Sequence, residues 1–290
     1  MHANLLNRLG TIMKILMFTK MLKNKGNLTI EKAAEYIAEM GFEGADLTVR
    51  EEGYVLPEEV SRKLPEVVET IKSKGLCVPM ITTNITDAKA GHAEEIFKTA
   101  ARCGIEYIKL GYWRYEGLGK IMDQIDEINR KIEAICHLSE NYGVTATIHN
   151  HAGAFMSASP ALLHTFLKDR DPDLIGAYID PGHMFAEAGA QGWEMAIDLL
   201  TPYIQLVAVK NYRWVKVASE HDDVKKWKNQ MLPLKEEIVP WPDIFKRLKE
   251  IGYNDYVSVH SEYDDLDFQQ LIEQTKEDLR YLKTVLKEIY

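Results

Sequence analysis

The sequence YGVTATIHNHAG, residues 142–153, contains the pattern that decides the fold. Gly143 follows a long helical pattern, a short β-branched run comes next, and polar residues end the run. Glycine is favoured directly after a helix because it adopts the left-handed backbone conformation without strain. A short β-branched run between such signals predicts a buried strand. The stretch therefore predicts a helix end, a turn and a strand that ends in polar side chains.

The same unit recurs along the whole chain of 290 residues. Strands are predicted at residues 13–19, 43–49, 77–83, 105–111, 144–150, 174–180, 204–210 and 255–261. Helices are predicted at residues 30–41, 57–74, 92–103, 117–142, 159–169, 187–202, 241–251 and 265–289. Eight strand–helix units predict an α/β fold, a single (β/α)8 TIM barrel over residues 1–290. No GxGxxG turn follows the first strand, which disfavours an open nucleotide-binding sheet.

Composition and charge restrict the class of partner. The net charge is −9 and no long block of basic residues occurs, which argues against a nucleic-acid partner. No apolar run approaches the roughly 18 residues that span a bilayer, so no membrane segment is expected. Cys77, Cys103 and Cys136 form no CxxC pair, which predicts neither a disulfide framework nor a thiolate zinc site and favours a cytoplasmic location. A small molecule is the expected partner.

The segment from Asn211 to about Pro240 is far longer than an ordinary connection between a strand and a helix. Long loops at the catalytic end of a barrel commonly cover the substrate. Two tryptophans, Trp214 and Trp227, fit a partly ordered cover. The alternative is a solvated insertion that packs on the rim. We predict a long loop at residues 211–240 on the catalytic face.

Alternation along the strands predicts polar side chains inside one end of the barrel. Successive side chains point to opposite faces, so in VSVHSEY the residues Ser258, His260 and Glu262 face inward. A barrel built for stability alone fills these layers with Val, Ile and Leu. The same rule gives a larger inward set: Asp46, Thr48, Arg50, Thr82, Asn84, Tyr107, Lys109, Thr145, Thr147, His149, His151, Tyr178, Asp180, Ala208 and Lys210. We conclude that something polar binds at this end.

Three of these residues predict a metal site. His149, Asp180 and His260 come from the fifth, sixth and eighth strands, so they converge near the barrel axis. Two imidazoles and a carboxylate are a common ligand set for Mn²⁺, Fe²⁺, Co²⁺ or Zn²⁺. The alternative is a hydrogen-bonded network without a metal, and the spacing alone does not choose between the two.

Cationic and aromatic side chains at the rim predict a substrate site. Lys109, Lys210 and Arg50 would bind a phosphate, a carboxylate or a developing oxyanion. The alternative is that they form salt bridges with neighbouring carboxylates such as Asp46 or Glu262. Aromatic residues here would stack on a sugar face or only pack. The predicted substrate-binding residues are Arg50, Asn84, Lys109, Trp113 and Trp214.

The chain resembles the xylose isomerase-like TIM barrel superfamily over nearly its whole length. The segments that carry the resemblance are GFEGADLTVR, VPMITTNITD, TIHNHAG, IDPGHM, VAVKNYRW and VSVHSEY, of which Asp180-Pro-Gly-His183 is the most specific. The superfamily includes sugar phosphate isomerases and epimerases, ketohexose 3-epimerases, hydroxypyruvate isomerase, inosose dehydratase and endonuclease IV. The resemblance implies a sugar or sugar phosphate substrate, a divalent metal ion (Mn, Co, Zn, Fe or Mg) and association into dimers or tetramers.

The family pattern is altered at most of its metal ligands. Members of the superfamily hold the metal with a glutamate, an aspartate, a histidine and a second glutamate, and only the aspartate is matched, by Asp180. The other positions fall on His149, Ala208 and His260. Because the two glutamates are also the acid–base pair of the related epimerases, proton transfer here must use other residues. The predicted catalytic residues are His151, His183, Lys210 and Glu262.

These considerations favour a metal-dependent sugar isomerase or epimerase that abstracts a proton next to a carbonyl. Histidine suits this chemistry because its ordinary pKa lies near 6.5. One alternative is a lyase or dehydratase that uses the same enolising step on a keto-sugar or inosose. A second alternative is a non-catalytic sugar-binding subunit, consistent with the altered ligand positions. An endonuclease is disfavoured because the chain is acidic.

Overall fold

Eight parallel strands close into a barrel in the computed structural model, which describes residues 13–217 and 226–290. The described residues contain ten strands, of which β8 and β9 lie outside the barrel. In chain order they are β1 Lys14–Phe18, β2 Gly44–Thr48, β3 Cys77–Thr82, β4 Tyr107–Lys109, β5 Thr145–His149, β6 Ile175–Ile179, β7 Ile204–Val209, β8 Tyr212–Val217, β9 Lys226–Met231 and β10 Tyr256–Val259. Strands β1 to β7 follow each other around the barrel, and β10 closes it between β7 and β1. The predicted (β/α)8 barrel is thereby confirmed.

Helices connect the barrel strands and cover the outside of the sheet. They are α1 Lys20–Asn24, α2 Ile30–Met40, α3 Val60–Lys72, α4 Ala93–Arg102, α5 Ile121–Tyr142, α6 Pro160–Leu167, α7 Pro181–Ala188, α8 Gly192–Leu200, α9 Trp241–Glu250 and α10 Phe268–Ile289. Gly143 ends helix α5 as its position predicted, and Gly41 ends α2 in the same way. Both glycines have the left-handed conformation. No helix within residues 13–217 or 226–290 is long and apolar enough to cross a membrane.

The helix predicted at 187–202 begins earlier than the sequence pattern indicated. Helix α7 starts at Pro181 because Asp180 caps it, its side chain accepting a hydrogen bond from the His183 N–H. Proline is favoured in the first turn of a helix, where its missing N–H has no partner to lose. Helix α7 then ends at Gly189, which has a positive φ of 74°, before α8 begins. The D-P-G-H element is therefore a strand end followed directly by a helix.

The segment predicted as a long loop contains a β-hairpin. Strands β8 and β9 pair antiparallel, from Tyr212 opposite Met231 to Val217 opposite Lys226, and residues 218–225 lie outside the described part. Within β8, Tyr212, Val215 and Val217 are half-buried, and Arg213, Trp214 and Lys216 are exposed. The segment predicted as a long loop therefore includes a regular antiparallel hairpin, and its place at the catalytic face stays a prediction.

The barrel interior has an apolar floor below a polar layer. The floor consists of Leu16, Met80, Tyr107, Tyr178, Leu206 and Ala208. The larger apolar core lies between the sheet and the helices, where the outward-facing strand residues are buried. Because the floor excludes water from one side, polar groups above it must find partners among themselves or in a ligand.

Asp278 on α10 anchors the segment that follows the hairpin. Its side chain is 1% exposed and accepts hydrogen bonds from the Leu234 N–H at 2.9 Å, from Gln274 Nε2 at 3.0 Å and from the Tyr263 hydroxyl at 2.5 Å. Burial raises the pKa of this carboxyl to about 6, although its hydrogen bonds favour the ionised form. One side chain therefore ties the return from the hairpin to the last helix.

We expect Asp278→Ala to destabilise the fold. The change leaves the Leu234 N–H buried without its acceptor, which costs roughly 1–3 kcal/mol. It also removes the shorter hydrogen bond of the Tyr263 hydroxyl, which keeps the Leu232 carbonyl as an acceptor at 3.2 Å. Urea denaturation followed by circular dichroism measures the loss in free energy of unfolding. Glu288→Ala, at an exposed position on the same helix, is the control and should change it by less than about 0.5 kcal/mol. Equal effects of the two changes would show that Asp278 is not an anchor.

Candidate active site

The polar side chains predicted to face inward meet at the carboxyl ends of β5, β6, β7 and β10. We call the following seven residues the central cluster: His149, His151, Asp180, His183, Lys210, His260 and Glu262. Asp180 is fully buried, and His149, His183, Lys210 and His260 are each at most 5% exposed. All four predicted catalytic residues and all three predicted metal ligands therefore lie within one contiguous group.

The Lys210 ammonium is the common neighbour within this cluster. Lys210 Nζ lies 3.0 Å from Glu262 Oε2 and 3.4 Å from Asp180 Oδ2, and it donates a hydrogen bond to His183 Nε2 at 3.1 Å. Burial disfavours an ammonium, but the Glu262 charge, together with Tyr212 and Asp180, outweighs burial, so the pKa of Lys210 is held well above its ordinary value. Lys210 is therefore a fixed positive charge in the barrel mouth.

The two carboxylates beside Lys210 are ionised. Burial raises the pKa of Glu262, but the Lys210 ammonium, a hydrogen bond with His260 and the Lys20 charge together outweigh burial and hold this pKa well below its ordinary value. Lys20 Nζ adds a second contact, 2.5 Å from Glu262 Oε1. Burial also opposes ionisation of Asp180, yet His183 and Lys210 lower its pKa. Because His183 is itself neutral, Lys210 supplies the lasting charge.

Asn150 interlocks the two motifs that carry the histidines. Its side-chain amide donates to the Asp180 carbonyl at 3.0 Å, and its amide oxygen accepts from the Asp180 N–H at 2.6 Å. This pair of bonds fixes the end of β6 against the end of β5. Asn150 was not predicted as a site residue, although its position between two inward histidines indicates that it lies beside the site.

Three of the histidines are neutral at physiological pH. Burial, aided by the nearby Lys210 charge, lowers the pKa of His149 and His183 well below the ordinary value and lowers that of His151 to about 4. His151 Nδ1 lies 2.8 Å from the Ala152 carbonyl oxygen. A carbonyl only accepts, so this nitrogen carries the proton and Nε2 of the neutral ring keeps its lone pair.

A second polar network lies just below the central cluster. Asp46 is fully buried and accepts hydrogen bonds from the hydroxyls of Thr82 at 2.7 Å, Ser258 at 3.0 Å and Tyr178 at 3.2 Å. The Tyr178 hydroxyl is also hydrogen-bonded to His260 Nε2 at 2.8 Å. Sequence alternation placed Asp46 inside but did not assign it a role. It orients His260 through Tyr178.

Aromatic rings enclose the histidines. Phe18 stacks on His260 with ring centres 4.3 Å apart, and Tyr212 stacks on His183 at 5.1 Å. The Tyr112 hydroxyl is hydrogen-bonded to His149 Nδ1 at 2.9 Å. None of these three rings was predicted from the sequence. Tyr112 and Tyr212 follow barrel strands, where alternation no longer indicates direction. Phe18 carried the signal of an inward position in the first strand.

Lys109 lies apart from the ion pairs. It is 2% exposed, its Nζ has no hydrogen-bond partner among the described residues, and it sits 3.6 Å from the ring centre of Tyr112. Burial, together with the charge of Arg50, lowers the pKa of Lys109 well below its ordinary value. The alternative of a salt bridge predicted from sequence is not what the structure shows for this lysine.

The remaining predicted substrate residues lie in three different places. Arg50 and Asn84 line a cavity of about 290 Å³ at the ends of β2 and β3. Trp214 is 47% exposed on β8 and donates a hydrogen bond to the Ala186 carbonyl. Trp113 is 7% exposed, donates to the Thr86 carbonyl and packs near Phe166. The packing alternative fits these contacts of Trp113, and its role in binding a sugar stays a prediction.

The predicted metal ligands do not fit together as a metal site. His149 Nε2 and Asp180 Oδ2 lie 3.5 Å apart and, in the described part of the chain, have no hydrogen-bond partner. However, Lys210 Nζ contacts the same Asp180 oxygen, and His260 turns Nε2 toward Tyr178. No three His, Cys, Asp or Glu side chains within residues 13–217 and 226–290 have an arrangement that holds a metal ion. Their role as ligands stays a prediction from sequence.

The barrel is closed and parallel, and its polar side chains gather at the carboxyl ends of the strands. This end is where TIM-barrel enzymes place their active sites. A family model described as xylose isomerase-like TIM barrel matches residues 34–285. The chain therefore belongs to the xylose isomerase-like TIM barrel family, as the resemblance of its motifs predicted.

Solved structures of the same fold include enzymes. An IOLI protein with a bound zinc atom has a TM-score of 0.71 and 15% identity, covering 96% of this chain and 99% of its own. The 3-keto-D-glucoside 4-epimerase from E. coli has a TM-score of 0.68 and 15% identity, with coverages of 94% and 99%. The probable 3-DHS dehydratase from Bacillus anthracis has a TM-score of 0.68 and 15% identity, with coverages of 93% and 99%. No curated protein sequence is significantly similar to this chain.

We expect the bond between Thr82 and Asp46 to appear as a coupling energy. Thr82→Val removes one hydroxyl and should lower the free energy of unfolding by about 1 kcal/mol. Asp46→Ala leaves the hydroxyls of Thr82, Tyr178 and Ser258 without their acceptor and should cost roughly 1–3 kcal/mol for each. Because both changes break the same bond, the double variant should cost less than the sum, as measured by urea denaturation.

The control for this double-variant comparison is Thr284→Val, at an exposed position on α10, which should change the free energy of unfolding by less than about 0.5 kcal/mol. Strict additivity of Thr82→Val and Asp46→Ala would show that the two side chains do not interact.

Proposed function

We propose that the protein is an isomerase or epimerase of a sugar or sugar phosphate that acts by proton transfer next to a carbonyl. The observation that carries the proposal is the fixed Lys210 ammonium beside neutral histidines in the barrel mouth. A positive charge stabilises the oxyanion that forms on enolisation, and a neutral imidazole accepts the proton. The shared fold with a 3-keto-D-glucoside 4-epimerase supports the same class of reaction.

His151 is the base that the contacts favour. Its Nε2 keeps a lone pair because Nδ1 donates to the Ala152 carbonyl, and the residue is only partly buried, so substrate can reach it. By contrast, Nε2 of His183 already accepts a hydrogen bond from Lys210. Although its pKa of about 4 makes His151 a weak base in the empty site, the negative charge of an enediolate nearby would raise that pKa.

The reaction then follows from ordinary enolisation. His151 takes the proton from the carbon beside the carbonyl, the C–H electrons form the carbon–carbon double bond, and the carbonyl oxygen becomes an oxyanion beside Lys210. Return of a proton to the other face of the same carbon gives the epimer. Return to the former carbonyl carbon, with loss of the neighbouring hydroxyl proton, gives the isomer. Glu262, as the less buried of the two carboxylates in the cluster, is the second candidate for proton transfer.

A lyase is the second candidate function. The same enolate expels a leaving group when one lies β to the carbonyl, so the residues need no different arrangement. The shared fold with a probable 3-DHS dehydratase favours keeping this alternative. The two reactions differ in their products, since elimination forms a conjugated alkene that absorbs ultraviolet light.

We expect wild-type protein to exchange a substrate hydrogen for deuterium. D-Fructose, D-tagatose, D-psicose and 3-keto-D-glucosides in deuterated water form the first panel, read by proton NMR. Loss of a general base typically costs about 10²–10⁴-fold in rate, so His151→Asn should abolish most of the exchange. His137→Asn, at an exposed position on α5, is the matched control and should retain it.

Each other result has a distinct meaning. Exchange that survives in His151→Asn would show that another residue is the base. A product that absorbs ultraviolet light would identify the lyase. A rise in melting temperature with a sugar, without exchange, would favour a binding subunit and contradict the proposed reaction.

A further inference from the structure

We infer that the ammonium of Lys210 occupies the place of a divalent cation in this barrel, so that the site takes no metal ion. Three observations carry the inference: the crowding at one carboxylate oxygen, the charge balance of the cluster, and the packing that fixes Lys210. The inference about metal binding stands on these observations alone. Its catalytic consequence rests on the proposed function.

Asp180 Oδ2 is the point where a metal and Lys210 would compete. His149 Nε2 lies 3.5 Å from this oxygen, His183 Nε2 lies 3.6 Å away, and Lys210 Nζ lies 3.4 Å away. Metal–ligand bonds of this type are about 2.0–2.2 Å long. A divalent ion bonded to the oxygen would therefore be within about 6 Å of the ammonium, and the like charges repel strongly in a buried site.

The charges of the cluster are already balanced. Asp180 and Glu262 bring two negative charges, and the ammonium groups of Lys210 and Lys20 bring two positive charges at contact distance. Divalent ions bind where carboxylate charge is left uncompensated, and the family pattern supplies it with two further glutamates. In this chain those positions are His149 and His260. The positive charge beside these carboxylates is therefore supplied by lysine side chains of the protein.

Packing fixes the position of Lys210. Trp241 Nε1 donates to the Lys210 carbonyl at 3.2 Å, which holds the end of β7. Helix α7 lies directly against this residue because Gly182 has no side chain: a Cβ there would meet the Lys210 carbonyl oxygen at 3.0 Å and Lys210 Cβ at 3.3 Å. His183, on the same helix, then receives the Lys210 hydrogen bond.

An ammonium in this position supplies electrostatic stabilisation through hydrogen bonds. Lys210 Nζ has three N–H groups, of which His183 Nε2 and Glu262 Oε2 accept two. The third N–H has the Asp180 carboxylate, at 3.4 Å, and the Tyr212 hydroxyl nearby, and it can turn from them to a substrate oxygen. A fixed donor next to a developing oxyanion lowers the barrier as an oxyanion hole does.

The test compares metal binding by wild-type protein and Lys210→Met, a neutral substitution of similar length. Protein purified without chelators or affinity metals is analysed for metal content, and melting temperature is recorded with EDTA, MnCl₂, CoCl₂ and ZnCl₂. We expect the wild type to carry no stoichiometric metal and to show the same melting temperature in all four solutions. We expect Lys210→Met to gain a metal-dependent rise, because Asp180 and Glu262 lose their main counter-charge.

Two further variants keep the test decisive. Lys210→Arg keeps the positive charge and should stay insensitive to metals, and Lys246→Met, at an exposed position on α9, should behave as the wild type. If Lys210→Met does not fold, the wild type and Lys210→Arg decide the question. Stoichiometric metal in the wild type, removed by EDTA with a fall in melting temperature, would overturn the inference.

Deuterium exchange separates this inference from the proposed function. Exchange that persists in EDTA and falls about 10²–10³-fold in Lys210→Met supports both. Wild-type exchange that needs added metal overturns the inference but leaves the proposed reaction standing. Metal-insensitive melting without exchange on any keto-sugar supports the inference and contradicts the proposed function.

Discussion

A buried ammonium between two carboxylates sets the arrangement of the barrel mouth. Lys210, Asp180 and Glu262 come from the ends of three neighbouring strands, and each would be a costly unpaired charge without the others. Burial is the main reason why His149 and His183 are neutral, and the Lys210 charge adds to it. Burial and this network of ion pairs together therefore set the protonation states in the barrel mouth.

The layers beneath this network explain how it is held. Asp46 collects hydroxyl groups from three other strands and orients His260 through Tyr178. Below them an apolar floor closes the barrel, so the polar groups have no solvent on that side. Asn150 adds a direct link between the ends of β5 and β6. The apolar layers set the shape of the barrel interior, and the hydrogen bonds above them set the orientation of the polar side chains.

Period-two alternation was sufficient to predict the barrel and most of the inward residues, including Asp180 and Lys210. It failed where the strands end, since direction there depends on the turn: Tyr112 and Tyr212 were missed for this reason. It also gave no rotamers, so it could not place the Lys210 ammonium at the Asp180 oxygen that a metal would need. Trp113 shows the complementary limit, because an aromatic residue near a site packs as readily as it binds.

Lys210 lies in the short junction between the barrel strand β7 and the hairpin strand β8. Lys210 and Tyr212 are separated by a single residue, and Tyr212 both starts β8 and stacks on His183. Inserting or deleting one residue between them would turn one of the two side chains away from the cluster, because their common direction depends on that spacing. The length of the hairpin beyond Tyr212 can therefore change without moving these two side chains, whereas the length of its junction with the barrel cannot.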